Sequence, residues 1–252
     1  MQTSRLWKRC RSKCERLAVD YLFRRPLRVR PAVPIISFTF DDFPLSALAT
    51  GGNILRAYGS VGTYYVSLGL SGKQDACGQM FGMSDLKTLL EQGHELGCHT
   101  FEHYDSFDTA PGAFLQSIAS NQDTLQTFLP DSTFRTFSFP KSVPRAITKW
   151  KVGHRFECCR GGGQTFNAGT ADLNYLRAYF IEQARGDFAA VKQIIDRNRD
   201  ANGWLIFATH DVCDNPTRFG CTPGFFEAVV RYAAGSAVQV MPVLQALHTL
   251  QR

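Results

Sequence analysis

The sequence predicts an α/β protein, a distorted seven-stranded (β/α) barrel in a single domain with an N-terminal amphipathic helix. Three observations lead there. From Pro34 onward, short β-rich runs alternate with helical stretches, which implies a parallel sheet with helical crossovers. A length of 252 residues, 44% of them hydrophobic and 20% charged, suits one large domain with a full core. The residues able to carry chemistry fall at the C-terminal ends of predicted strands, the rim on which such barrels build their sites. Strand count and length suit a barrel better than an open sheet.

The elements follow in order. Residues 1–30 form a basic segment in which Trp7, Cys10, Cys14, Leu17 and Tyr21 recur at spacings of three and four, an amphipathic helix with an apolar stripe. It reads either as an interfacial helix on an anionic membrane surface or as a terminal helix packed on the domain. Pro26, Pro31 and Pro34 end any helix there and start an extended chain, so the barrel domain spans residues 31–252. Ile35–Phe40 is a buried strand ending at Asp41-Asp42. A helical stretch over Leu45–Tyr58, flawed by Gly51-Gly52, precedes strand Gly62–Leu68. Ser84 is an N-cap for a helix through Gln92, stopped by Gly93. Strand Glu95–His99, a helix from Pro111 to Phe128 and strand Phe134–Phe139 come next. A helix near Arg145–Val152, strand Phe156–Cys159 and a glycine turn at Gly161–Gly163 lead into the last third. There the pattern gives helix Asp187–Asn198, strand Trp204–Thr209, helix Pro223–Ala233, strand Ala237–Pro242 and a C-terminal helix. No internal repeat or low-complexity linker is present.

Charge and cysteines narrow the function. The net charge of +6 is uneven: residues 1–30 hold ten Lys/Arg against Glu15 and Asp20, a local +8, and the remaining 18 basic and 20 acidic residues leave −2. Without a basic stripe interleaved with aromatics outside the leader, nucleic acid is not an expected partner. No run of about 18 apolar residues occurs, and the N-terminus lacks the roughly 7–15-residue apolar stretch of a secretory signal. Eight cysteines are too sparse for a disulfide scaffold, and no Cys-x-x-Cys occurs. Reduced thiols in the cytoplasm are expected. Cys98, beside His99, reads as a small buried strand-end residue rather than a ligand.

Thr39-Phe40-Asp41-Asp42 and His99-Thr100-Phe101-Glu102-His103 together read as a mononuclear metal site with a general base beside it. Two histidines four apart can aim two imidazoles at one ion, and a carboxylate from a distant strand supplies a third ligand. One carboxylate cannot easily bind the metal and also act as a free base, so an Asp-Asp pair with alternating faces divides the labour. Pro140 and His210 also fall at strand ends. His94 reads as a loop or surface residue and His248 as a helix-surface residue.

Over residues 34–245 the chain resembles the polysaccharide deacetylases, the NodB-homology family or carbohydrate esterase family 4. Thr39-Phe40-Asp41-Asp42 matches the family's first motif and His99-Thr100-x-x-His103 its second. Phe137-Ser138-Phe139-Pro140 looks like the third, and Leu205-Ile206-Phe207-Ala208-Thr209-His210 like the fifth. The resemblance implies that Asp42, His99 and His103 bind one divalent metal, Zn²⁺ being expected with Co²⁺, Ni²⁺ or Fe²⁺ also suited. It makes Asp41 the general base and His210 the acid for the departing nitrogen. Competing readings are a helix N-cap carboxylate for Asp41 and a hydrogen-bonded rim histidine for His210. The third motif departs from Arg-x-Pro-Tyr-Gly: Ser138 stands at the arginine position, and Lys141 and Ser142 replace Tyr and Gly. The Lys141 amide can still face an oxyanion beside Pro140, since that role needs no side chain. An arginine that orients Asp41 must come from elsewhere; Arg160 and Arg177 are candidates, with Arg135 a further possibility at the wrong spacing. The implied function is metal-dependent removal of an N-acetyl group from an amino sugar of a glycan or glycolipid precursor. Deformylation of a lipid-linked amino sugar and non-catalytic glycan binding are the rivals. Residues 1–25 would give peripheral contact with the cytoplasmic face of the membrane.

Overall fold

The computed structural model describes residues 18–141 and 143–252. Seven parallel strands make the barrel: β1 (Ile35–Asp41), β2 (Thr63–Val66), β3 (Glu95–Cys98), β4 (Thr136–Ser138), β5 (Cys158–Arg160), β6 (Tyr179–Phe180) and β7 (Trp204–Thr209). Their hydrogen-bonded order is β6-β7-β1-β2-β3-β4-β5. A parallel bridge between Arg160 and Leu176 brings the β5 edge back to the chain that enters β6, with Gly161 N–H donating to the Leu176 carbonyl at 2.9 Å. The two ends of the curled sheet therefore meet.

The number of strands agrees with the sequence pattern, but the membership differs. The two-residue β6 is too short to carry a periodic signal. The stretch expected over Ala237–Pro242 contributes only β8 (Gln239–Val240), which pairs with Ile35 and Ile36 beside the barrel path.

The helices that follow the strands are α1 (Asn53–Ala57), α2 (Met83–Glu91), α3 (Pro111–Phe128), α4 (Ala146–Gly153), α5 (Phe188–Asp200), α6 (Pro223–Ala234) and α7 (Val243–Leu250). Asp187 and Thr222 cap α5 and α6 through their side chains, and Pro223 opens α6, where its missing N–H costs nothing. Ser84 is not the cap of α2; the helix begins after Gly82, whose N–H is taken by the Asp85 carboxylate at 2.7 Å. Ahead of α1, Ala47–Gly52 is π-helical. The glycines that look like flaws permit close packing: a Cβ on Gly51 would stand 2.8 Å from the Phe40 ring, and one on Gly52 2.9 Å from the Tyr64 hydroxyl. Tyr64 in turn donates to the Ala47 carbonyl at 3.1 Å, which occupies one of the carbonyls the bulge disturbs.

β1 is buried along its whole length, its Phe38 and Phe40 rings packing with Phe207, Tyr64 and Phe226. A second apolar cluster includes Leu27, Val29, Ile35, Trp204, Met241 and Leu247.

Of the stripe expected to form an amphipathic N-terminal helix, Trp7, Cys10, Cys14 and Leu17 lie outside the described residues. Residues 18–21 are helical and put Val19 in the core. Strand Pro26–Val29 then pairs antiparallel with Gly169–Asp172, an arrangement the sequence pattern did not indicate. Buried Lys149 on α4 donates to the Val19 and Leu22 carbonyls at 2.5 and 2.9 Å and pairs with Asp172 at 2.5 Å. A cation there occupies the unpaired carbonyls of a helix C-terminus. Among the described residues, no helix is long and apolar enough to cross a membrane.

Candidate active site

Strained backbone marks the C-terminal rim. Asp42, Phe43, Thr100, His103 and Lys141 all have φ between 55° and 65°. Each left-handed non-glycine residue costs of order 1–3 kcal/mol and persists only where its surroundings fix it. Here the Phe43 ring is buried and stacks on Phe81 at 4.9 Å, fixing the turn that follows β1. The reversal after Asp41 sends neighbouring carboxylates to different neighbours.

Asp42 Oδ1 lies 3.1 Å from His103 Nε2 and 3.5 Å from His99 Nε2, and it has no hydrogen-bond donor although it is buried. Acceptors converging without a proton between them are what a cation requires. Ligand bonds of about 2.0–2.2 Å in a tetrahedral arrangement give donor separations of about 3.3–3.6 Å, close to those distances. His99 Nδ1 lies 2.8 Å from the Ser138 carbonyl, so that nitrogen carries the proton and Nε2 presents its lone pair. Burial lowers the His99 pKa to about 4, and burial lowers that of His103 as well, which favours the neutral ligand form. The residues present therefore fit one divalent metal ion held by Asp42, His99 and His103.

Asp41 turns instead to Arg160. The Arg160 Nη2 donates to Asp41 Oδ1 in a buried pair, and the guanidinium lies over the Tyr65 and Phe180 rings. Burial alone would raise the Asp41 pKa, but Arg160, His99 and His210 outweigh it and bring it down to about 2. His210 Nε2 lies 3.9 Å from Asp42 Oδ2, while its Nδ1 lies 3.1 Å from the Phe219 carbonyl. With Nδ1 engaged, Nε2 is the ring nitrogen left to face the site.

The remaining predicted residues distribute as follows. Arg177 is not brought to Asp41; it pairs with Asp20 at 2.5 Å and covers the Tyr175 ring, because strand Gly169–Asp172 carries its segment towards the N-terminal turn. Arg135 pairs with Glu157 at 2.5 Å, away from the site. Pro140 offers its carbonyl to the Ser106 hydroxyl at 2.7 Å, tying the third-motif loop to the second. Lys141 is exposed, and its charge opposes protonation of His103. Cys98 is fully buried and accepts from Asn121 at 3.3 Å. His94 is not a surface residue: it is buried, accepts from the Gly62 N–H at 2.9 Å, and meets Tyr64 edge-on.

Two groups at the site escape sequence reasoning. Cys77, alone in a short turn, points its sulfur at Asp42 Oδ2 from 3.9 Å. Glu182, in the 3₁₀ turn after β6, has a buried oxygen without a partner; burial raises its pKa to about 8, with Asp41 adding to the effect and Arg160 opposing it. Neither belongs to a motif, so only the fold could bring them in.

The polysaccharide deacetylase family model matches residues 28–154, and the chain belongs to that family. Asp41, Asp42, His99, His103, Pro140 and Lys141 lie inside the matched region; Arg160 and His210 lie beyond it. No curated protein matches the sequence. Among solved structures, a family 4 acetyl xylan esterase from Clostridium thermocellum in complex with a cobalt ion is 19% identical, with 85% of this chain and 90% of that one covered at a TM-score of 0.57. The chitin deacetylase of Colletotrichum lindemuthianum is 11% identical, with 86% and 89% covered and a TM-score of 0.61. A CE4 family pseudoenzyme from Bacillus anthracis is also 11% identical, with 88% and 68% covered and a TM-score of 0.60. These likenesses establish the (β/α) barrel.

Proposed function

We propose that the protein is a metal-dependent hydrolase that removes an N-acetyl group from an amino sugar of a glycan or glycolipid precursor. The observation that carries this reading is the convergence at one rim of the Asp42/His99/His103 donors, the buried Asp41–Arg160 pair, and His210, whose Nε2 lies 3.9 Å from Asp42 Oδ2. A divalent ion on those donors, with Zn²⁺ favoured and Co²⁺, Ni²⁺ or Fe²⁺ also suited, supplies Lewis acidity towards the amide carbonyl and the attacking water. Asp41, ionised far below neutral pH, accepts the proton of that water, and Arg160 holds its carboxylate in place. His210 delivers a proton through Nε2 to the departing nitrogen as the C–N bond breaks, its ring fixed by the Phe219 carbonyl. The Lys141 amide, in its left-handed turn, faces the carbonyl oxygen.

The substrate is an N-acylated amino-sugar glycan or a lipid-linked sugar, and residues 1–25 provide peripheral contact with the cytoplasmic face of the membrane where the latter would reside. A product screen by mass spectrometry tests the reading, with N-acetylated oligosaccharides and lipid-linked sugars as substrates. Loss of an acetyl group that depends on added metal is the expected result. Loss of formyl alone would establish the deformylase, and metal binding with no product from any substrate would establish a non-catalytic glycan binder.

A further inference from the structure

The carboxylate of Asp42 has two oxygens, and only Oδ1 belongs to the donor set of the metal site described above. Oδ1 meets His99 and His103; Oδ2 meets Cys77 Sγ and His210 Nε2, each at 3.9 Å. The donor atoms of Asp42, Cys77 and His210 all lie within 4.8 Å of one another. Asp42 and Cys77 are 3% and 5% exposed, so the sulfur is not a surface thiol that happens to pass by.

Cys77 is also held where it is. It sits at the turn of a short hairpin, Gln74–Asp75 against Gly78–Gln79, where Gly78 takes a φ of 101°. The chain leaving that hairpin is pinned to the turn after β1: Met80 bridges Pro44, and the Phe81 N–H donates to the Phe43 carbonyl at 3.2 Å. The same residues that fix the backbone of Asp42 therefore fix the distance of Cys77 from it.

We propose that Asp42 bridges two cation sites, and that Oδ2, Cys77 Sγ and His210 Nε2 bind a second, thiophilic divalent ion such as Cd²⁺ or Zn²⁺. Metal–sulfur and metal–oxygen bonds of about 2.3 and 2.1 Å set a tetrahedral S···O separation of about 3.6 Å, so the observed 3.9 Å needs only a small adjustment. A bridging carboxylate places two ions about 3.5–4 Å apart, as in two-metal hydrolases. The thiolate makes the second site soft, whereas the first offers only imidazole and carboxylate. On binding, the S–H bond breaks, the proton leaves to solvent and the sulfur lone pair forms the metal bond. An ion here also engages the Nε2 that the proposed hydrolysis needs as its acid, so filling the second site stalls turnover. That consequence rests on the functional reading above; the ion count does not.

The test is a Cd²⁺ titration of the full chain after removal of metal by a chelator, followed by equilibrium dialysis and by the ultraviolet thiolate-to-cadmium charge-transfer band. The wild type is expected to take up two equivalents, one with the band. Cys77→Ser should keep one equivalent and lose the band, and His210→Ala should weaken the second equivalent at least about 100-fold. His99→Ala should weaken the other equivalent while the band persists, which shows that the two sites are separate. Uptake of one equivalent by the wild type, an unchanged band in Cys77→Ser, or loss of the band in His99→Ala would each overturn the second site. None of these readouts depends on knowing the substrate, so failure of the deacetylase reading leaves them intact.

Discussion

Asp41 and Asp42 show how one peptide bond separates two kinds of chemistry. The left-handed backbone at Asp42 turns its oxygens towards imidazoles, whereas Asp41, the last residue of β1, meets a guanidinium. Asp41→Asn is therefore expected to keep the metal, read by elemental analysis, and to lose about 10²–10⁴-fold in turnover. Near-normal turnover would overturn its role as base. His103→Ala should weaken the ion held by Asp42, His99 and His103 at least about 100-fold, since it removes a ligand outright where even an outer partner costs 10–100-fold. Undiminished occupancy in that variant would remove His103 from the ligand set. At this scale the sequence was informative about the ligands, because two motifs concentrate four functional side chains, Asp41, Asp42, His99 and His103, in short runs. It left open which arginine reaches Asp41, since the usual position holds Ser138. Only the β5–β6 edge of the sheet, which carries Arg160 and sends Arg177 elsewhere, decides the geometry.

At the scale of elements, the buried Lys149 shows what holds the N-terminal turn to the barrel. Its ammonium serves the Val19 and Leu22 carbonyls and the Asp172 carboxylate. Lys149→Met should destabilise the protein by about 3–5 kcal/mol by leaving Asp172 buried and unpaired, measured by urea unfolding. Adding Asp172→Asn should recover part of that loss, because the two sites share one interaction. Additive costs would show that the pair does not act as a unit. Long periodic elements such as β1, β7 and α3 were legible in the sequence with errors of a residue or two at their ends. β6, two residues long, and the pairing of Pro26–Val29 with Gly169–Asp172 were not. Short strands owe their existence to partners far away in sequence, and no local pattern records them.

At the scale of the whole molecule, acid stability depends on a histidine outside the site. Burial, with help from Arg56, lowers the pKa of His94 to about 4 from 6.5. Unfolded chains take up a proton below 6.5 while the folded one resists until about 4, so stability falls as pH drops through that window and is unaffected by His94 above it. The loss is about 3 kcal/mol by pH 4. His94→Gln, unfolded in urea across pH 4–6.5 with the site metal removed, should show a shallower slope than the wild type; an identical slope would show that His94 titrates normally.

The proposed attachment to a membrane also has to be tested on the whole molecule. The first thirty residues carry +8 and the remainder −2. Tyr21, Leu22 and Phe23 are 75%, 48% and 45% exposed, and Phe23 meets the half-exposed Trp150 of α4 at 5.7 Å. An apolar patch beside clustered positive charge is the composition of an interfacial anchor. Each basic residue near an anionic leaflet contributes about 1 kcal/mol, reduced by salt. Deleting residues up to Arg30 would test this poorly, because it removes the turn that Lys149 and Asp172 hold. Substitution is cleaner. The full chain should co-sediment with vesicles containing anionic lipid and be released by salt. Phe23→Ser/Trp150→Ser, and separately Arg9→Glu/Arg11→Glu/Lys13→Glu, should each sediment less. Equal, salt-insensitive sedimentation of all three proteins would rule out the anchor and leave the N-terminal segment as a cap on the barrel.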